Sequence, residues 1–321
     1  MIENSNPLVS ISCITYNHAP FIRECLDGFL MQKTSFSFEI VIHDDCSTDG
    51  TREIIEEYAV KYPNIFFPVF QEENQYSKGV RGMMVKYNFP RCRGKYIATC
   101  EADDYWTDPY KLQKQVDFLE RNANYAGCSH KTNVINNKND EWEESDFWQG
   151  HDEDKDLDLK DMVSIVVPFH TSSYLFRSSV IPQLSAFYKK WNLAISGDIV
   201  LFTLSCKLGP VKFLKDEMSS YRVHYGGVTS SKANSHHFRG LFDRYIMWVL
   251  LSKQFTKSEQ LQHFDSVIKH YEHYLIKKGK KISISKLLKE VGFFLKSNPV
   301  NPSDKIGLTY KLLKNKITKT I

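Results

Sequence analysis

The first 120 or so residues alternate short apolar segments with amphipathic ones, and this alternation constrains the fold more than any other feature of the chain. Apolar segments predict strands at 8–15, 38–45, 65–70 and 94–100. Apolar residues at helical spacing predict helices at 20–31, 51–61, 81–89 and 109–122. Strands that alternate with helices form βαβ units, so the sequence predicts an α/β fold around a mostly parallel sheet.

Polar residues follow three of these strands at the point where each one ends. They are Tyr16 and Asn17, Asp44 and Asp45, and Asp103 and Asp104. In open α/β sheets, ligands bind beyond the carboxyl ends of the strands. We therefore predict one crevice that joins the three strand ends.

The acid pair Asp103 and Asp104 lies in the segment EADDYW, directly after the fourth strand. A divalent cation with bound phosphates would offset the repulsion between the two carboxylates, and oxygen ligands suit Mg²⁺ or Mn²⁺. The alternative is a pair of solvated loop acids beside Asp108, which caps the next helix. At the end of the second strand we favour ligand binding for Asp45 and helix capping for Ser47 or Asp49.

Three segments together resemble the inverting glycosyltransferases of family 2, which have the GT-A fold. They are VSISCITYNHAPFIRECLDGFL, EIVIHDDCSTDGT and GKYIATCEADDYW. The resemblance is close over 8–120 and looser in HTSSYLFR (170–177), GDIVLF (197–202) and YRVH (221–224). It implies a Rossmann-like sheet flanked by helices, and sugar transfer from a nucleotide diphosphate sugar, a UDP-sugar, to an acceptor hydroxyl.

The resemblance also implies which residues bind the donor. Thr15, Tyr16 and Asn17 would line the nucleotide pocket, with Tyr16 able to stack on the base. Asp45 would bind the base, and Asp103 would bind the ribose or the metal-bound diphosphate.

The metal is implied in the same way. Asp104 would ligate Mg²⁺ or Mn²⁺ directly, although adjacent acids in place of a spaced pair leave open whether Asp103 does so. His224 would complete the metal shell and Arg222 would neutralise the leaving diphosphate. A lone histidine is more often a structural residue, and that alternative stays open for His224.

On the acceptor side the resemblance makes Asp198 the catalytic base, and the alternative is that Asp198 caps the helix that follows. The polar segment 170–173 would face the acceptor. Trp106, Trp142 and Trp148 would either stack on sugar rings or pack in the core.

The sequence predicts a GT-A domain at 1–232, with a nucleotide-sugar-binding half (1–125) and an acceptor-binding half (126–232). A helical, basic C-terminal extension follows at 233–321. From Lys277 onward twelve lysines face two acids, which gives +10; since the chain carries +4, the remainder carries 4 − 10 = −6. This asymmetry predicts contact with an anionic membrane, or else a solvated helical face.

The start of the chain lacks a secretory pattern, so we expect a cytoplasmic protein, with peripheral attachment to the inner face of the membrane. None of the seven cysteines forms a CxxC pair, which predicts reduced thiols. The acceptor would be a surface polysaccharide or a lipid-linked glycan. A nucleic-acid partner is not expected, because the basic residues are confined to the tail.

Two other functions fit an α/β sheet with strand-end acids. A sugar-phosphate nucleotidyltransferase would share the metal chemistry, but no glycine-rich basic loop follows the first strand, where 16–20 reads YNHAP. A non-catalytic nucleotide-sugar-binding protein would keep the pocket without turnover.

Overall fold

The computed structural model describes residues 6–138, 141–144, 151–162, 168–190 and 197–224. The strands are β1 Val9–Thr15, β2 Phe38–Asp44, β3 Phe66–Phe70, β4 Tyr96–Glu101, β5 Tyr105–Trp106, β6 Gly127–Lys138, β7 Glu141–Glu144, β8 Lys155–Leu157, β9 Leu175–Arg177 and β10 Val211–Val223. The α-helices are α1 Ile22–Leu30, α2 Thr51–Lys61, α3 Lys111–Arg121, α4 Leu159–Met162, α5 Ile181–Lys190 and α6 Gly197–Cys206.

The strands of the described residues form one mixed sheet in the order β3-β2-β1-β4-β9-β6-β10-β5. The first four are mutually parallel, and β6 is parallel to β10, whereas β9, β5 and β8 pair antiparallel with their neighbours. The predicted α/β fold with a mostly parallel sheet is therefore confirmed, as are the four strands and the first, second and fourth helices of residues 8–122.

The core of the donor-side half lies between the parallel strands and the helices that connect them. Helix α1 buries Ile22, Cys25, Leu26 and Phe29, which share one face of the helix at i, i+3, i+4 and i+7 spacing. Full burial of a side chain such as Phe29 contributes about 1.5–3 kcal/mol. Gly28 allows the close approach, because a Cβ there would lie 3.0 Å from the Trp106 carbonyl oxygen.

The helix predicted at 81–89 is present from Met84 but is not a regular α-helix. The chain instead makes a π-helical turn, Met84–Asn88, followed by a 3₁₀ turn, Phe89–Arg91. The Asn88 amide is drawn into the core, where it donates to Ser12 Oγ at 3.0 Å and to the carbonyl of Cys13 at 2.8 Å. This buried link between the turn and β1 takes the place of a regular helix.

Residues 136–161 lack clear apolar periodicity, which predicts a long loop that could include a helical turn, but the structure also has strands in this segment. β6 continues into it and pairs with β7, while β8 pairs with β10 and α4 follows. The segment SSYLF (172–176) predicts a strand, but only its end is one, because Thr171–Ser173 forms a 3₁₀ turn before β9. The apolar segment 211–214 predicts a short strand, and this strand, β10, continues to Val223, past register shifts near Glu217.

The remaining predictions on architecture concern the tail, the membrane and the thiols. Residues 225–321 lie outside the described residues, so the domain division at 232 and the helical basic tail stay predictions. Among the described helices, none combines the length and the apolar character that a membrane crossing requires. All seven cysteines are free, as predicted.

Candidate active site

The carboxyl ends of three parallel strands meet at one edge of the sheet. Thr15 at the end of β1 lies opposite Asp44 of β2, and Ile14 lies opposite Glu101 of β4. The residues that follow these strands must therefore enter the same region. The predicted convergence of the strand ends is confirmed by this register.

The loops that follow β1 and β2 are cross-linked by their own polar side chains. The Asn17 amide N–H donates to Ser47 Oγ at 2.8 Å, and the Thr48 N–H donates to Asn17 Oδ1 at 2.8 Å. Asn17 (φ 55°) and Cys46 (φ 65°) adopt the left-handed conformation that such tight turns need. The Asn17 side chain therefore ties the loop after β1 to the loop after β2.

The first helix of the donor half is tied to the second through the same loops. Thr51 Oγ1 accepts the His18 N–H at 2.9 Å and donates to Asp49 Oδ1 at 2.6 Å, while Asp49 Oδ2 accepts the Ala19 N–H at 3.0 Å. Asp49 also accepts the Thr51 N–H at 3.1 Å. The N-cap of α2 is nevertheless Gly50, without a side-chain cap, so the prediction that Ser47 or Asp49 caps this helix is wrong. Ser47 instead hydrogen bonds to Asp44.

Thr15, Tyr16 and Asp45 lie around this edge with different exposure. Thr15 is buried, and its Oγ1 has no hydrogen-bond partner among the described residues. The ring of Tyr16 is 44% exposed, which leaves a flat aromatic face accessible to a ligand. Asp45 is buried and accepts the amide N–H groups of Gln75 at 2.8 Å and Tyr76 at 3.0 Å, so it holds the segment after β3 beside the strand ends.

The turn after β4 gathers three carboxyl groups. One oxygen from each of Glu101, Asp103 and Asp104 lies within 4.8 Å of the others. Burial, together with the charges of Asp103 and Asp198, raises the pKa of Glu101 to about 8. Burial and the neighbouring acids also raise the pKa of Asp104 well above its usual range. An additional positive charge at this turn would relieve the repulsion.

The two adjacent aspartates face different surroundings. Asp104 is buried, its Oδ1 accepts the Arg222 N–H at 3.0 Å, and its Oδ2 has no partner among the described residues. Asp103 is half-buried, and its Oδ2 lies 3.2 Å from His224 Nε2. Burial acts to raise the pKa of Asp103, but the hydrogen bond to His224 and the nearby histidines hold it below its usual value.

His18 is a site residue that the sequence reasoning missed. Its Nε2 lies 3.7 Å from Asp103 Oδ2, on the side of that carboxylate that His224 also approaches. The available signal was its place in the loop that follows the first predicted strand, next to the candidates Tyr16 and Asn17.

Arg222 packs behind the acid turn. Its guanidinium donates to the Asp103 carbonyl at 2.7 Å, pairs with Glu24 and lies 4.2 Å from the centroid of the Tyr105 ring. The side chain is only 5% exposed, so its cation is placed beside the carboxylates and fixed by α1 and β5.

Asp198 reaches the acid turn from the other half of the domain. It lies in the first turn of α6, where its Oδ1 accepts the Ile199 N–H at 2.9 Å, and it is half-buried. Its charge contributes to the raised pKa of Glu101, so the Asp198 carboxylate lies within electrostatic range of the acid turn. Helix-end and site positions are thus compatible for this residue.

The acceptor-side segment lies next to β10. His170 stacks on Tyr221 with ring centroids 4.8 Å apart. Trp106 is a core residue: it is buried, contacts Phe29 and donates to the Ser172 carbonyl at 2.8 Å. Sugar stacking is therefore excluded for Trp106, whereas Trp148 lies outside the described residues and the Trp142 stacking prediction stays a prediction.

Comparison with known proteins identifies the family. The sequence profile described as glycosyl transferase family 2 matches residues 10–181, more than half of the chain. The chain belongs to glycosyl transferase family 2. The resemblance read from the three strand-end segments is confirmed.

Individual relatives extend this result. An uncharacterised protein of Mycobacterium tuberculosis is 47% identical over 127 residues, 40% of this chain and 36% of that protein, so the chain spans well under two thirds of it. A putative teichuronic acid biosynthesis glycosyltransferase of Bacillus subtilis is 35% identical over 126 residues, 39% of this chain and 47% of that protein. The Staphylococcus aureus TarS structure in complex with UDP-GlcNAc matches with a TM-score of 0.62 at 17% identity, over 88% of this chain and 78% of that one. The TarS match shows the shared GT-A fold.

Proposed function

We propose that this protein transfers a sugar from a nucleotide diphosphate sugar to an acceptor hydroxyl. The observation that carries the proposal is the cluster of Glu101, Asp103 and Asp104, within electrostatic range of Asp198, at the edge of the sheet where Thr15 and the Asp45 loop also lie. The side of this crevice formed by Thr15 and the Asp45 loop suits a nucleotide. The opposite side supplies the Asp198 carboxylate. A transfer between two bound molecules needs both.

The donor is a UDP-sugar in this proposal. The exposed ring of Tyr16 stacks on the base beside Thr15 and Asp45, and Asn17 keeps the loop in position. The UDP-GlcNAc complex of the structurally similar TarS supports the choice of a uridine nucleotide. Asp103 lies where the ribose or the diphosphate would follow.

The acid turn fits a divalent cation, Mg²⁺ or Mn²⁺. The fit rests on the buried Oδ2 of Asp104, which has no partner among the described residues, and on His224 Nε2 beside Asp103. Asp103, Asp104 and His224 would hold the ion, and Arg222 would add positive charge behind the turn. When bound, the cation supplies Lewis-acid stabilisation of the leaving diphosphate.

Asp198 is the general base in this proposal. Its carboxylate takes the proton of the acceptor hydroxyl while that oxygen bonds to the sugar C1 and the bond from C1 to the diphosphate oxygen breaks. Attack opposite the leaving group inverts the configuration at C1. At the start of α6, the Ile199 N–H bonds to one oxygen of this carboxylate and restrains the side chain.

The acceptor is a surface polysaccharide or a lipid-linked glycan, reached from the cytoplasmic face of the membrane. The B. subtilis relative named for teichuronic acid biosynthesis supports this class, and the basic tail would dock on anionic lipid. Replacing Lys277, Lys278, Lys280 and Lys281 with Glu in the full chain should weaken binding to anionic vesicles without changing UDP affinity. Unchanged vesicle binding would contradict the docking role.

The proposed activity is tested with a panel of UDP- and GDP-sugars, with and without Mn²⁺ or Mg²⁺, by measuring release of the nucleoside diphosphate. We expect metal-dependent release from a UDP-sugar, which falls about a hundredfold or more in Asp103→Asn because several kcal/mol of charge stabilisation is lost. Asp216→Asn, on the exposed part of β10, is the matched control.

Three outcomes would contradict the proposal. Pyrophosphate formed from UTP and a sugar phosphate would indicate a nucleotidyltransferase. Tight UDP-sugar binding without release would indicate a binding protein. Equal release in Asp103→Asn and the wild type would remove Asp103 from the metal site.

A further inference from the structure

We propose that His18 supplies a further protein ligand to the cation beside Asp103, Asp104 and His224, so that His18, Asp103 and His224 form one coordinating face with two imidazoles and one carboxylate. The inference rests on the proposed cation site and deepens it. The sequence predicted that two acids and one histidine bind the ion. The structure places a second histidine, from the loop after β1, beside them.

The distances between the three side chains suit a shared ion. Asp103 Oδ2 lies 3.2 Å from His224 Nε2 and 3.7 Å from His18 Nε2, and all three ligand atoms lie within 4.8 Å of one another. Ligands about 2.1 Å from an octahedral ion are about 3 Å apart when adjacent and about 4 Å apart when opposite. The separation of 3.7 Å is too long for a direct hydrogen bond.

The backbone around His18 is fixed, which suits a ligand held in advance. Its N–H donates to Thr51 Oγ1 at 2.9 Å, and its carbonyl accepts the N–H groups of Phe21 and Ile22, each at 2.9 Å. The His18 and His224 rings are nearly perpendicular, at 84° with centroids 6.2 Å apart. They therefore converge on Asp103 by their edges instead of stacking on each other.

Two imidazoles change which metal the site prefers. Imidazole nitrogen favours first-row transition metals, whereas Mg²⁺ prefers a shell of carboxylate, carbonyl and water oxygens. The His18–Asp103–His224 face should therefore bind Mn²⁺ in preference to Mg²⁺. A site built from Asp103 and Asp104 alone would discriminate less between the two ions.

The experiment counts the imidazoles on the ion. Mn²⁺ is bound to the full-length protein with UDP, and electron spin-echo modulation measures the directly coordinated nitrogens. We expect two imidazole nitrogens in the wild type and one in each of His18→Gln and His224→Gln. Mn²⁺ affinity relative to Mg²⁺ should fall about tenfold or more in His18→Gln.

Controls separate this inference from the proposed function. His151→Gln, outside the three-ligand face, should keep both nitrogens, and UDP affinity without metal confirms that His18→Gln is folded. One nitrogen in the wild type, or an unchanged signal in His18→Gln, would overturn the proposal that His18 binds the cation, even if UDP-sugar turnover is normal. Absence of both Mn²⁺ binding and turnover in the wild type would overturn the proposed function as well.

Discussion

Two parts of the crevice are held in place in different ways. They are the loops after β1 and β2, on the proposed donor side, and the turn 171–173, on the proposed acceptor side. On the donor side, side chains of one loop accept backbone N–H groups of the other: Asn17 Oδ1 accepts the Thr48 N–H, and Thr51 Oγ1 accepts the His18 N–H. On the acceptor side, side chains from β4, β5 and α3 hold the backbone of the turn 171–173. Thr99 Oγ1, Trp106 Nε1 and Gln115 Nε2 donate to the carbonyls of residues 171, 172 and 173, respectively.

This difference explains which half has a recognisable motif. A loop that is shaped by its own side chains needs particular residues at particular spacing, so the donor side has a family signature. A turn that is held through its carbonyls places few demands on its own side chains. The side chains of residues 171–173 can therefore vary while the backbone of the turn stays fixed.

The largest effect that would sharpen the comparison is expected at Asp198. Asp198→Asn should lower transfer by about 10²–10⁴-fold, because the general base is lost, while UDP affinity stays at the wild-type value. Steady-state transfer and UDP titration measure the two separately. A parallel loss of UDP affinity would mean that Asp198 belongs to the donor side as well.

The second effect concerns the rigidity of the donor-side sheet. Asn88→Ala removes the amide that bonds to Ser12, Cys13 and Val41, and it leaves buried groups unpaired. The free energy of unfolding should fall by about 1–3 kcal/mol, as measured by urea denaturation. The control Asn122→Ala removes a half-buried bond to Phe118 at the end of α3 and should cost less.

A smaller effect is expected from the link between the two donor-side loops. Thr51→Val removes the acceptor for the His18 N–H and the donor to Asp49. A hydrogen bond of this kind contributes about 1 kcal/mol, so UDP affinity should fall about fivefold. Thr107→Val, at an exposed position, is the control, and equal UDP affinity in both variants would show that the cross-link does not shape the pocket.

The smallest effect at neutral pH is expected behind the acceptor-side turn. Lys111 is buried, with its Nζ 2.8 Å from Gln115 Oε1 and 4.1 Å from the centroid of the Trp106 ring, and burial lowers its pKa to about 7. The unfolded chain, with a lysine pKa of about 10.4, binds more protons between pH 7 and 10. Lys111 therefore makes stability rise with pH across that range.

Lys111→Met should remove this contribution. The unfolding free energy of the variant should match the wild type within about 1 kcal/mol at pH 7, since an apolar chain of similar shape replaces the amine. The difference between the two proteins should then change between pH 7 and 10, in favour of the wild type. Parallel pH profiles in urea denaturation would contradict the buried-amine account.

The sequence was sufficient for the parts of the fold whose pattern is local. β1, β2 and β4 are buried apolar segments that end in polar residues, so both the strands and their convergence could be predicted. β10 could not be delimited, because the exposed run Lys215–Glu217 interrupts its apolar pattern. The strands inside 136–161 are acidic and polar, and only their pairing partners identify them.

The same contrast holds for individual site residues. The strand-end acids Asp45, Asp103 and Asp104 were predictable because each directly follows an apolar strand. The pairing of Arg222 with Glu24 joins residues almost two hundred positions apart and has no local signal. The division of work between Asp103 and Asp104 depends on side-chain direction, which adjacency in sequence does not specify.

The cross-linked loops also limit how the chain can change length. The Asn17 N–H bonds to Ser47, thirty positions further along the sequence. The next residue, His18, bonds through its N–H to Thr51 at the start of α2. One inserted residue between Asp45 and Thr51 would put these partners out of step and release the turn that carries His18. Insertions and deletions should therefore be rare in this stretch among functional relatives, even where individual side chains are exchanged.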